Sequence, residues 1–99
     1  MPRGEHDAAS FVQRAAEAVN IEVEALASPR KTQELARARE VIAVVGVERY
    51  GIGVGELASV LGMHPSSVSR WITRAASRRQ EDDGFAARCK DLEKSLGRQ

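Results

Sequence analysis

Between His64 and Arg74 the chain reads HPSSVSRWITR, and its hydroxyls and guanidiniums recur at Ser66, Ser69, Arg70, Thr73 and Arg74. On a helix, spacings of three and four place such residues on one face. A row of this kind can hydrogen-bond and carries positive charge, which suits base edges and phosphates. Catalysis is a poorer match. Ser66 and Ser67 have no plausible general base beside them to activate a hydroxyl. His6, His64 and Cys89 lie far apart, with no metal-ligand spacing between them. His64 reads instead as a helix N-cap or a groove contact, Cys89 as core and Trp71 as part of a hydrophobic seam. Tyr50, a tyrosine at a helix end, could be read as a nucleophile, but no metal-binding His pair accompanies it, so packing is expected. The run RAASRR at 74–79 reads as a phosphate clamp in preference to a solvated helix end. No catalytic residue, metal, cofactor or small-molecule substrate is expected.

A row of readers needs a rigid element to hold it. The preceding stretch, ELASVLGMHPSSV at 56–68, stops one helix at Gly62 and starts another at Pro65. Glycine takes a positive φ without a Cβ penalty, and proline at a first helical position wastes no amide donor. Leu57, Leu61, Val68 and Trp71 fall where two short helices must bury against each other. Ala58 is small where they cross, and Met63 covers the turn. The pattern predicts a helix-turn-helix over 54–77, its second helix free to enter a major groove roughly 12 Å wide. Ser67 is expected to help cap that helix or touch the DNA backbone.

The remaining segments also read as helices. Phe11, Ala15, Ala18 and Val19 give helical spacing over 7–19, after a loose tail at 1–6. NIEVEAL at 20–26 is a turn with one short helical piece. Ser28–Pro29 predicts the start of a long helix reaching about Arg49, with Leu35, Val41, Ile42 and Val45 inward. VIAVVGV at 41–47 is β-branched, but it follows uninterrupted helix formers and has no second strand to pair with. Phe85, Cys89, Leu92 and Leu96 predict a last helix over 83–96. The expectation is an all-α, compact single domain over 7–99, with about five main helices.

Ninety-nine residues, 42% apolar and 29% charged, fit one globular domain. The longest apolar runs are far short of a bilayer span, no signal peptide is visible and a lone cysteine excludes an internal disulfide. A cytoplasmic location at the nucleoid, without membrane partners, is therefore expected. The net charge of +1 hides a division: residues 29–80 hold nine Lys or Arg against four Glu, while both ends are mildly acidic. That asymmetry points to an anionic polymer as partner.

With these residues in view, the chain resembles the C-terminal DNA-binding domain of the bacterial replication initiator DnaA, from about Ser10 to Leu96. FVQRAAEAVNIEVEAL is similar to the family's opening helix, SPRKTQELARAREV to its basic loop and long helix, VGELASVLGMHPSSV to its helix-turn-helix and EDDGFAARCKDLEKSL to its closing helix. The resemblance implies a Trp-repressor-like helical fold that binds double-stranded DNA. It implies Arg30 or Lys31 in the minor groove, Ser66 and Ser67 at a step where the family has two threonines, and phosphate contacts by Arg37, Arg39 and the amides of Val54 and Gly55. The family's Asp-His pair is replaced by His64–Pro65, and the turn is one residue shorter. No phosphate-binding G-x-x-x-x-G-K-[ST] loop is present, so an ATPase is excluded. A similar domain is appended to transposases of repeated palindromic elements. Three expectations follow: a monomeric sequence-specific DNA-binding module, the DNA-targeting end of a transposase, or a protein-interaction module that kept the fold.

Overall fold

A computed structural model describes residues 7–29 and 32–97; the tail expected at 1–6 and the pair Arg30–Lys31 lie outside the described residues. Six helices follow one another: α1 (Ala8–Val19), α2 (Val23–Ala27), α3 (Gln33–Tyr50), α4 (Val54–Leu61), α5 (Pro65–Glu81) and α6 (Asp83–Gly97), with no strand among the described residues. The all-α expectation holds, with the short α2 as the helical piece expected at 20–26.

Local chemistry sets most boundaries. Asp7 caps α1 by accepting from the Ser10 N–H at 2.8 Å, and that bond first of all holds its carboxyl below the usual carboxylate range. Asn20 closes α1 in the left-handed region at φ 63°. The start of α3 differs from expectation. Thr32, whose Oγ1 accepts from the Leu35 N–H at 3.2 Å, is its cap, whereas Ser28 ends α2 and donates its hydroxyl to the Ala25 carbonyl at 2.7 Å. Two cap residues compete within five positions. The carbonyl of the earlier one, which a helix starting at Pro29 would use for its first bond, accepts instead from the distant Arg39 side chain at 2.8 Å.

The β-branched run Val41–Val45 is helical because α3 is the hub, packed on α1, α2, α4, α5 and α6. Surrounded in this way, its middle is buried around its circumference rather than along one stripe. Gly46 permits the closest approach: a Cβ there would stand 2.8 Å from Phe11 Cε2 and 3.0 Å from Leu57 Cδ1. Phe11 in turn meets the half-buried Tyr50 with ring centroids 5.1 Å apart, which gives Tyr50 the packing role expected of it. Phe85, Cys89, Leu92 and Leu96 all face inward from α6, and burial pushes the Cys89 thiol pKa up.

Helix α5 runs four residues past the expected end at Ser77. Two long-range pairs secure the extension. Arg78 Nη1 donates to Glu40 Oε2 at 2.7 Å, with its guanidinium 4.7 Å from the centre of the Phe85 ring, and Arg79 Nη2 lies 2.7 Å from Glu48 Oε1. Asp82 then separates α5 from α6. Its Oδ1 accepts from the Phe85 N–H at 3.1 Å and its Oδ2 from Arg78 at 3.3 Å, so its carboxyl also sits below the ordinary range.

Candidate nucleic-acid interface

Leu57, Ala58 and Leu61 of α4 are fully buried, as is Val68 of α5, so the two helices share a dry seam. Each such branched apolar side chain contributes about 1.5–3 kcal/mol on burial. The corner between them is Gly62 at φ 67°, and the Met63 N–H reaches back to the Ala58 carbonyl at 2.8 Å. Glycine is required here twice over: a Cβ would also stand 2.6 Å from the Ala27 carbonyl oxygen, so the corner packs directly on the end of α2. Across the corner, His64 caps α5 and Pro65 takes its first position. His64 Nδ1 accepts from the Ser66 N–H at 3.3 Å and lies 2.8 Å from Ser66 Oγ. Trp71 and Ile72 are half-buried against the core, in agreement with the seam role expected of Trp71.

Opposite that seam, Ser66, Ser69, Arg70, Thr73 and Arg74 are all exposed on the outer face of α5. Thr73 Oγ1 donates to the Ser69 carbonyl at 3.0 Å. Ser67 is half-buried, and its backbone N–H bonds to the His64 carbonyl at 3.0 Å, so it belongs to the first turn more than to the outer stripe.

The basic middle of the chain separates into two populations. Arg70 and Arg74 make no ion pair or hydrogen bond among the described residues; nor does Arg37, which is exposed beside Arg88 and Asp91 in the groove between α1, α3 and α6. Arg78 and Arg79 are tied to α3, and Arg49 lies 3.5 Å from Glu93. The clamp expected over 74–79 therefore reduces to Arg74. For both Arg78 and Arg79 the pKa is raised, by Glu40 against the cost of burial in the first case and by the bond to Glu48 in the second.

Arg39 is a correction to the expected contacts. The resemblance implies that it touches phosphate from the long helix, yet it is only 4% exposed. Its Nε donates to the Leu26 carbonyl at 2.7 Å, and Nη2 donates to the Ser28 and Ala25 carbonyls at 2.8 and 3.4 Å. The end of α2 leaves carbonyl groups without helical partners, and a guanidinium fork satisfies several together. Arg39 thus pins α2 beneath the corner instead of facing solvent.

At the start of α4, the cap residue Gly53 supplies no side-chain acceptor for the amides of Val54 and Gly55. A helix N-terminus of this kind attracts anions. Glu56, however, folds back so that its Oε1 is 3.1 Å from where a Gly53 Cβ would be, and its charge competes for the same partial positive field. Arg30 and Lys31 lie outside the described residues.

Two residues that sequence patterns do not single out, Glu40 and Glu48, decide which arginines are tied. Both stand on the apolar hub helix, a placement that hints at a partner, but the partners are more than thirty residues away. Among the described residues no group of three or more His, Cys, Asp or Glu could hold a metal, and no helix is long and apolar enough to cross a membrane. Set against protein families, curated proteins and solved structures, the chain matches none of them.

Proposed function

We propose that this chain is a sequence-specific double-stranded DNA-binding module, acting as a monomer, with α5 in the major groove. The observation that carries the reading is the outer stripe of α5, where two guanidiniums without protein partners alternate with hydroxyls just beyond a rigid corner. Such a stripe is costly to leave facing a protein and well suited to base edges and phosphates. The local basic balance and the resemblance to the DnaA C-terminal domain support the same reading. On that resemblance Arg30 or Lys31 enters the minor groove, while the amides of Val54 and Gly55 approach phosphate.

Binding to a duplex should weaken steeply with salt, as counterion release requires. Arg37→Ala is expected to weaken binding to every duplex alike, lowering the salt slope by about 0.9. Arg70→Ala is expected to cost about 1–3 kcal/mol on a selected duplex and much less on a scrambled one. Titrating both variants against both duplexes by fluorescence anisotropy decides the matter: equal losses for Arg70→Ala would deny α5 its reading role.

A further inference from the structure

Resting on the DNA-binding reading above, the hydrogen bonds inside α5 also say which base edges its stripe can recognise. A serine or threonine hydroxyl normally donates or accepts as its partner demands. Here one hydroxyl proton is already committed. Thr73 donates its proton to the Ser69 carbonyl at 3.0 Å. Toward solvent it therefore offers only an oxygen lone pair and a methyl group. At the start of the helix, the Ser66 hydroxyl lies 2.8 Å from His64 Nδ1, and which of the two donates depends on the ring tautomer.

The stripe is consequently polarised. Thr73 is an acceptor, while Arg70 and Arg74 are pure donors with no competing partner among the described residues. In the major groove, guanine shows two acceptors, which a guanidinium meets with both its N–H groups. Only cytosine N4 and adenine N6 are donors there, and they are what an acceptor hydroxyl can take. Arg70 and Arg74 are one helical turn apart, roughly 6 Å along α5, so that in the groove they reach neighbouring but distinct base pairs. We infer that the target of α5 contains two guanines on neighbouring but distinct base pairs, with an amino-bearing base, cytosine or adenine, facing Thr73. A thymine or guanine acceptor facing Thr73 is disfavoured, because meeting it means breaking an internal bond of the helix. That penalty should appear as about a three- to tenfold loss of affinity at that position.

The test is selection of the full chain on random duplexes, followed by base analogues in the enriched site. The expected result is a core with two guanines on neighbouring but distinct base pairs. Replacing either guanine by 7-deazaguanine should weaken the wild type, and should have little effect on whichever of Arg70→Ala or Arg74→Ala lacks its reader. Replacing the base facing Thr73 by its analogue without the amino group should weaken the wild type several-fold and leave Thr73→Val unaffected, while Thr73→Ser keeps the wild-type response. Circular dichroism of each variant checks that α5 is intact. An enriched core of thymines without paired guanines, or wild type and Thr73→Val responding alike, overturns the inference while leaving DNA binding in place. Enrichment of nothing at all removes the DNA-binding reading and this inference with it.

Discussion

The two halves of α5 carry the same residue type and use it in opposite ways. Arg70 and Arg74 project from the outer face without partners, whereas Arg78 and Arg79, one turn further, are fastened to Glu40, Asp82 and Glu48. The difference comes from what lies beneath each half. The first half leaves the core at the corner and presents its outer face to solvent. The second runs back across α3, where acidic residues and the Phe85 ring await it. A count of basic residues in sequence does not separate these halves, so positive charge alone is a weak indicator of where a nucleic acid would sit.

The comparison breaks most visibly on stability. Arg78→Ala strands the Glu40 carboxylate, whose side chain is only 12% exposed, and is expected to cost about 2–4 kcal/mol in urea unfolding. Arg70→Ala and Arg74→Ala should fall within about 0.5 kcal/mol of wild type, since nothing in the protein depends on them. The next effect belongs to DNA. Arg74→Ala should weaken binding to a selected duplex by about 1 kcal/mol or more without changing the melting temperature. Smaller still is the result of freeing a tied arginine: Glu48→Gln should raise affinity for every duplex slightly and steepen the salt slope by no more than about 0.9, measured by anisotropy over a salt series.

The last effect is one of pH. Asp82 is held below its ordinary range by the Phe85 N–H and then by Arg78, so its contribution is present at neutral pH and is lost as acid titrates it, below about pH 4. Thermal melts should therefore fall more steeply on the acid side for wild type than for Asp82→Asn. Parallel curves would mean that the cap between α5 and α6 holds without the charge.

Features governed by near neighbours are legible in the amino-acid sequence alone. Asp7, Gly62 and Pro65 act through bonds spanning a few residues, and the inward stripe of α6 follows from spacing. Ser28–Pro29 fails as a helix start because Thr32 offers an equally good cap and the Ser28 carbonyl is taken by the Arg39 side chain. Arg39 itself escapes such patterns because its carbonyl partners lie eleven to fourteen residues back, beyond anything helical spacing encodes. Of the candidate interface, the stripe on α5 is readable from the sequence; which arginines remain available to it is not.

The most direct trial of the central claim is to follow the backbone amide resonances of the labelled chain as a selected duplex is added. The account predicts that the largest shifts fall on Ser66 to Arg74 and on the first turn of α4, with the Arg78 and Arg79 turn and α6 little changed. Shifts centred on the groove between α1, α3 and α6, or none with any duplex, would contradict it.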